Sequence, residues 1–254
     1  MTKLGSEIHH LSVVDSTNNY AAKLISEGKI QNGSVIMADF QTNGRGQRGN
    51  SWQSVSNENL LFSLVFQPQS ISVEEQIRLS WYTAIIWVKC LQRFSIDAKI
   101  KWPNDIFVGP DKLGGILIEQ QIQGNTIAWS VVGCGLNVNS TPNMTHASSI
   151  LAQTQVKFKP RTVLNEFLEL FNGQIHLLYG DFSLLKAEFE ADLWGVQTLQ
   201  FFEDSDGRRW SATILGVDDS GKLKLNKAGQ LCYFDSQEIR SDIVTGKQIG
   251  RAHV

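Results

Sequence analysis

The sequence predicts an α+β fold, a main domain followed by a small antiparallel barrel, and three observations point to it. Short alternating or wholly apolar runs are interleaved with segments of helical spacing. A glycine-rich loop joins two strand-like runs, where a dinucleotide-binding turn would need a strand and then a helix. After Gly195 the texture changes to short strands separated by turn signals. With 254 residues, 42% hydrophobic and 19% charged, the chain can bury a substantial core, as one large domain or as a main domain plus a small one.

In chain order, Ser16-Thr17-Asn18-Asn19 precedes Tyr20, Ala21, Leu24 and Ile25, whose spacing marks one helical face, and Gly28 stands where that helix should end. Ser34 to Phe40 reads as a strand, and so does Leu60 to Phe66. Ser72-x-x-Glu75 predicts a capping box for a longer helix that turns Ile77, Trp81, Ile85, Val88 and Leu91 inward. Lys99 to Trp102 alternates until Pro103, and Leu113 to Ile122 and Thr126 to Val132 flank Gly124-Asn125 as a hairpin. From Arg161 to Leu178 helical spacing returns. Phe182 to Trp194 predicts a second helix, set off by Gly180-Asp181. Beyond Gly195, strands over 198–202, 210–217, 222–225 and 231–234 make a unit of about 45 residues, near the lower limit for independent stability, so it should lean on the main domain. The expected division is 1–194, 195–241 and a tail over 242–254. The tail lacks apolar period, and Ile249 to Val254 matches one reading frame of a common sequencing adapter, so some or all of it is expected to be non-native.

Composition excludes several classes. A net charge of −2 supplies no basic field for nucleic acid. Three cysteines without a CxxC pair, and five histidines without ligand spacing, indicate neither a disulfide framework nor a zinc site. No apolar run approaches the roughly 18–20 residues of a membrane span, and no signal peptide is evident, so a reducing cytoplasm is the expectation.

Chemistry concentrates in five segments. Gln41-Thr42-Asn43-Gly44-Arg45-Gly46-Gln47-Arg48-Gly49-Asn50-Ser51-Trp52 combines three glycines, two arginines and an aromatic, a composition suited to wrapping an anion; a glycine-rich surface turn is the competing reading. Asp15-Ser16-Thr17-Asn18 offers polar side chains at a helix N-terminus, either as a plain cap or as ligand contacts. Lys101-Trp102-Pro103-Asn104-Asp105 ends a strand on a rigid turn bearing an amide and a carboxylate. Lys112-Leu113-Gly114-Gly115-Ile116 sets a cation before paired strand glycines, and Gly133-Cys134-Gly135-Leu136-Asn137-Val138 repeats the device; glycine weakens a strand, and close approach of a ligand to the backbone is one reason to keep it. Each segment alone is a weak signal.

In this order, over roughly residues 8–241, the segments resemble the biotin protein ligases, and the glycine–arginine loop with Lys101–Asp105 is a specific pair. The resemblance implies a mixed sheet flanked by helices, related to the class II aminoacyl-tRNA synthetases, and an SH3-like C-terminal barrel. It implies a two-step reaction: biotin and MgATP give biotinyl-5′-AMP, and a lysine of a biotin carboxyl carrier protein takes the biotinyl group. Ser16, Thr17, Asn18, Gln41, Gly44, Arg45, Gly46, Gln47, Lys112, Gly114 and Gly115 would serve biotin. Arg45, Arg48, Trp52, Lys101, Asn104, Lys112 and Asn137 would serve the adenylate, with Arg45, Lys112 and Asp105 catalytic. A carboxylate pressed against a polyphosphate at about 4 Å is repelled by roughly 4 kcal/mol at an effective dielectric near 20, so cations must offset it. Mg²⁺ would bridge phosphate oxygens, mostly water-coordinated.

Regulatory members of that family carry an N-terminal DNA-binding domain, and the Asp15 motif stands too early here for one to fit. No DNA or membrane partner is therefore expected, and a homodimer is left open. Gln47 and Asn50 stand where some ligases have further arginines, which predicts looser retention of the adenylate. The rival readings are a lipoate-type ligase or acyltransferase of the same architecture, and a non-catalytic biotin-binding regulator.

Overall fold

A computed structural model describes residues 3–141 and 145–242, without the side chains of Arg48 and Asp242. The predicted tail lies outside the described residues, apart from the backbone of Asp242. Seven strands form the main sheet: β1 (Ile8–Val14), β2 (Val35–Gln41), β3 (Leu60–Phe66), β4 (Ala98–Lys101), β5 (Asp105–Val108), β6 (Asp111–Gln123) and β7 (Thr126–Leu136), in spatial order β1-β2-β3-β7-β6-β5-β4. β1 runs parallel to β2 and the other neighbours are antiparallel, so the sheet is mixed, as expected.

Helix α1 (Thr17–Ser26) packs on one face, over β2, β3 and β7. The other face carries α2 (Ile77–Gln92) and, after the short α3 (Ile150–Thr154), α4 (Pro160–Gly173), α5 (Ile175–Tyr179) and α6 (Phe182–Ala191). The main core lies between that layer and the sheet, where Trp87 stacks on Phe167 at 4.4 Å and Trp81 on Phe189 at 5.2 Å. These aromatics bury large apolar areas. A smaller cluster of Ala21, Ile36, Val65 and Val131 holds α1 down.

Two local expectations change. Ser72 makes a β-bridge to Thr126, residues 74–76 form a turn and the helix begins at Ile77. Glu75, the supposed capping partner, instead pairs with Arg78 at 2.8 Å, and α2 has no side-chain cap. The long helix predicted from Arg161 to Leu178 is broken at Gln174, whose φ of −109° leaves the helical region between α4 and α5. β1, β5, α3 and a strand over 239–242 were missed. α3 does have a local signal, Ser149, whose side chain accepts from the Ala152 N–H.

The C-terminal strands β8 (Leu199–Asp204), β9 (Arg209–Val217), β10 (Leu223–Lys227), β11 (Gln230–Phe234) and β12 (Ile239–Asp242) form one antiparallel sheet ordered β11-β10-β9-β8-β12. Among the described residues no ladder joins β11 to β12, so the sheet stays open where a barrel was expected. It leans on the main domain: Trp102 Nε1 donates to the Gly221 carbonyl at 2.9 Å, and the Glu190 carboxylate accepts from the Val217 N–H at 2.8 Å.

Candidate active site

Strand alternation divides the central strands between two faces. Phe62, Leu64, Ile116, Val132, Cys134 and Leu136 face the main core, which leaves Ser63, Gly115, Leu117, Glu119, Gly133 and Gly135 on the α1 face. Small residues gathered there open a cavity of about 260 Å³, bounded by the N-terminus of α1, the glycine loop, the Lys101–Asp105 turn, β6, β7 and β12. The predicted residues Ser16, Thr17, Asn18, Gln41, Arg45, Gly46, Gln47, Trp52, Lys101, Asn104, Asp105, Lys112 and Gly115 all line it.

One end is a polar bracket. The Thr17 N–H and Oγ1–H donate to Gln41 Oε1 at 2.8 and 3.1 Å, which orients the amide of Gln41. Asn18 is buried. Its Oδ1 lies 2.6 Å from Ser63 Oγ, and its Nδ2 donates to the Leu117 carbonyl at 3.2 Å and to Glu119 Oε2 at 2.8 Å. Expected as a ligand contact, Asn18 spends its amide tying α1 to β3 and β6. Gly133 makes room for it, since a Cβ there would stand 2.2 Å from Asn18 Oδ1.

The strand glycines were expected to lie against a ligand. Here Trp52 occupies that backbone: a Cβ on Gly135 would come within 2.4 Å of the indole, and one on Gly115 within 3.4 Å. The loop delivers Trp52 by folding on itself, with Gly46 N–H donating to the Asn50 carbonyl at 2.7 Å and Trp52 N–H to the Gly44 carbonyl at 2.8 Å. Trp52 Nε1 is buried in the cavity wall without a partner among the described residues.

Across from the loop, Lys112 Nζ sits 2.6 Å from Asp105 Oδ1 and 5.6 Å from the Trp52 ring centroid, within cation–π range. Both members of the ion pair are partly exposed to the cavity mouth. Hairpin pairing of β5 with β6 brings them together, Asp105 lying opposite Gly115 with a bulge beyond Ile106. The Trp102–Pro103 peptide between β4 and β5 is cis. Asn104 Nδ2 donates to the Ile116 carbonyl, so its amide holds the turn against β6.

Arg45 does not reach toward Lys112. Its Nη2 donates to Glu119 Oε1 at 2.7 Å, and its Nη1 to Glu119 Oε2 at 3.2 Å and Asn19 Oδ1 at 2.7 Å. The Arg48 side chain lies outside the described residues. Gly44, Gly114 and Asn137 stand apart from the cavity lining. Gly44 sits at the loop's base against Trp52, and Gly114 faces the opposite side of the sheet, where a Cβ would meet Leu136 at 2.7 Å. Asn137 is buried beside the start of β6, its N–H donating to the Leu113 carbonyl and its Nδ2 to the Ser148 carbonyl at 3.0 Å, with no partner for its Oδ1 among the described residues.

Two lining features escaped the sequence reading. Ile239, Arg240 and Ser241 come from the second sheet, so Arg240 adds a cation at the mouth; no local motif announces it. Cys134 borders the cavity too, but its thiol points to the core face, where it accepts from Trp87 Nε1 at 3.3 Å and burial pushes it up to about 12, so it stays protonated. Among the described residues no three His, Cys, Asp or Glu side chains gather to hold a metal ion.

A glycine-floored cavity beneath an arginine-bearing loop, with a lysine–aspartate pair at its mouth, thus lies on the α1 face of the mixed sheet. The sequence profile of the Biotin/lipoate A/B protein ligase family matches residues 11–137, half of the chain. The biotin–[acetyl-CoA-carboxylase] ligase of Paracoccus denitrificans is 32% identical over 230 residues, covering 85% of this chain and 92% of that protein. The bifunctional ligase/repressor BirA of Bacillus subtilis (strain 168) is 28% identical over 231 residues, covering 87% of this chain and 70% of that protein. Among solved structures, the biotin protein ligase from Aquifex aeolicus in complex with biotin and ATP superposes with a TM-score of 0.77 at 22% identity, covering 93% of this chain and 100% of that one, a likeness of fold. The chain belongs to the biotin/lipoate A/B protein ligase family. Within that family it is similar to biotin protein ligases.

Proposed function

We propose that the chain is an ATP-dependent biotin protein ligase, which converts biotin and MgATP to biotinyl-5′-AMP and pyrophosphate and then passes the biotinyl group to a lysine of a biotin carboxyl carrier protein. The observation that carries this reading is the convergence of Lys112, Asp105 and Trp52 on the glycine-floored cavity beneath the 44–52 loop. The ureido end of biotin would lie at the Ser16–Thr17–Gln41 bracket, beside Gly115 and the loop backbone at Gly46 and Gln47. The adenylate would lie toward Lys112, Lys101, Asn104 and Trp52, with Arg48 assigned to the same end.

In the first step a biotin carboxylate oxygen attacks the α-phosphorus and pyrophosphate leaves. Lys112 would exchange Asp105 for the incoming anions and offset their repulsion. Mg²⁺ favours phosphate oxygens and water over an all-protein cage, which suits a site with one carboxylate at its mouth; bound with ATP, it supplies charge neutralisation. The indole of Trp52 and the folded loop would keep water from the mixed anhydride.

In the second step the acceptor amine, with an ordinary pKa near 10.4, must shed a proton before it attacks the acyl carbon and AMP departs. Asp105, released from Lys112, would orient that amine and receive the proton. Asp105→Ala is expected to slow transfer by about 10²-fold and adenylation by less, measured in single-turnover assays of each half-reaction. Normal transfer by the variant would remove Asp105 from the mechanism. Arg240→Ala is expected to raise the KM for ATP about tenfold with little change in that for biotin, a split read from steady-state kinetics.

The finer assignments are part of the same proposal. The second sheet would be an SH3-like module beginning at Gly195, and some or all of the residues after Ser241 would be non-native; sequencing the source DNA past codon 241 tests the latter. No helix among the described residues is long and apolar enough to cross a membrane, and three free cysteines suit a reducing cytoplasm. Incubation with biotin, MgATP and an apo carrier domain should add one biotinyl group to the carrier by mass spectrometry. Pyrophosphate release that requires lipoate in place of biotin would overturn the choice of acid.

A further inference from the structure

We propose that Glu119 is a positioning residue that latches the 44–52 loop shut through Arg45, and thereby sets how long the activated acyl-adenylate stays in the cavity. The inference rests on the ligase reading for the identity of that intermediate. The latch itself rests on geometry.

Arg45 and Glu119 meet fork to fork, at 2.7 and 3.2 Å, across 74 residues of sequence. Isolated surface ion pairs contribute little, and this one is about 40% exposed on both sides; the exceptions are bidentate pairs embedded in a network. Both sides of the guanidinium are braced here. Glu119 Oε2 also accepts from Asn18 Nδ2 at 2.8 Å, and Asn18 is buried and fixed by Ser63 and Leu117. Asn19 Oδ1 accepts from Arg45 at 2.7 Å while its Nδ2 donates to Asp15 at 2.8 Å, the hydrogen bond that does most to hold the Asp15 carboxyl below its ordinary range. Two acceptors on separate elements, α1 and β6, are therefore set in place before Arg45 arrives.

The loop's own hydrogen bonds, from Gly46 to Asn50 and from Trp52 to Gly44, fold it on itself, whereas Arg45 carries it to the sheet. Glu119 stands beyond the cavity lining, on the same strand face as Gly115 and Leu117 but further along β6. Its removal should act on closure of the loop, with no contact to the ligand lost.

The test separates the charge of Glu119 from its tether to Asn18. In Glu119→Gln the side-chain carbonyl can still accept from Asn18, but its amide N–H groups face the Arg45 donors. Wild type, Glu119→Gln and Glu119→Ala are loaded with biotin and MgATP, then chased, and release of biotinyl-5′-AMP is timed. Glu119→Gln should release about tenfold faster or more, with a smaller change in the rate of adenylate formation. Release from wild type should accelerate with added KCl and release from Glu119→Gln should not, because an exposed ion pair is screened by salt. Fast release by Glu119→Ala alone would overturn the latch and leave Glu119 as a mere tether of Asn18; equal release by all three would also overturn it. Trypsin cleavage after Arg45 or Arg48, without ligand, should be faster in Glu119→Gln than in wild type, and equal cleavage counts against the latch. Should wild type form no adenylate while the cleavage difference holds, the function reading fails and the latch stands.

Discussion

Lys112→Ala is expected to abolish useful turnover, slowing adenylation and transfer alike by about 10²- to 10³-fold, the cost typical of removing one preorganised electrostatic contact to developing charge. Lys112 is the cation nearest the cavity's carboxylate and faces the Trp52 ring, so both the phosphate charge of the first step and the acyl-phosphate oxygens of the second fall within its reach. Removing it has a second effect, because Asp105 is left facing the incoming anions without its partner at 2.6 Å. Like charges then add to the barrier that the lysine had offset. Single-turnover measurement of adenylate formation, and of transfer from adenylate supplied pre-formed, separates the two steps. Retention of either half-reaction at the wild-type rate would rule Lys112 out of it. Lys112→Arg keeps the charge but not the compact ammonium that fits beside the indole, and should recover only part of the loss.

Gly133→Ala is expected to be the most damaging single methyl group that could be added to the site. Its Cβ would stand 2.2 Å from Asn18 Oδ1 and 2.8 Å from Asn18 Cγ, so the buried amide must move. Overpacking of this kind costs about 1–3 kcal/mol, and each buried polar partner left without its hydrogen bond costs about 1–3 kcal/mol more. Ser63, Leu117 and Glu119 all lose their contact with Asn18 if it swings away. The expected outcome is a loss of stability of roughly 2–5 kcal/mol, seen as a Tm lower by roughly 5–15 °C, together with weakened biotin binding by calorimetry. Asn18→Ala in the same chain should recover part of the stability, because it removes the clash; strict additivity in that double-mutant cycle would show that the two residues do not collide.

The same pair of residues shows how far sequence reading reached. Gly115, Gly133 and Gly135 were legible as places where something lies against a strand, because glycine inside a strand lacks a packing partner and asks for a reason. What lies there was not legible. Asn18 is 115 residues from Gly133 and Trp52 is 83 residues from Gly135, and which side chain fills a gap depends on the sheet order that places β3, β7 and β6 side by side. The supposed capping box at Ser72 matched its pattern and failed for a similar reason. Glu75 found Arg78 one turn on, whose guanidinium also bonds the Gly180 carbonyl, and that tertiary anchor outweighs a local cap.

The candidate site divides along the same line. Lys112 and Asp105 are 7 residues apart in the chain, and a short hairpin brings them together, so their meeting followed from local pattern. Arg45 was legible as a cation in a glycine-rich loop, but its engagement with Glu119 and Asn19 was not, since neither acidic nor amide partner shares a motif with it. Arg240 lies in a different sheet altogether.

By itself, the sequence determined which residue types would be available: the alternation that makes the strands, the glycines that thin one face of the sheet, and the Lys–Asp and arginine-loop chemistry. Each follows from interactions within a few residues, whose geometry the backbone period dictates. Only the tertiary structure decided the partners, setting Trp52 and Asn18 on the glycines, Arg45 on Glu119, and Arg240 at the mouth. Those pairings join residues tens to more than a hundred positions apart, and contacts at such separation are chosen by how the sheet and helices pack as a whole.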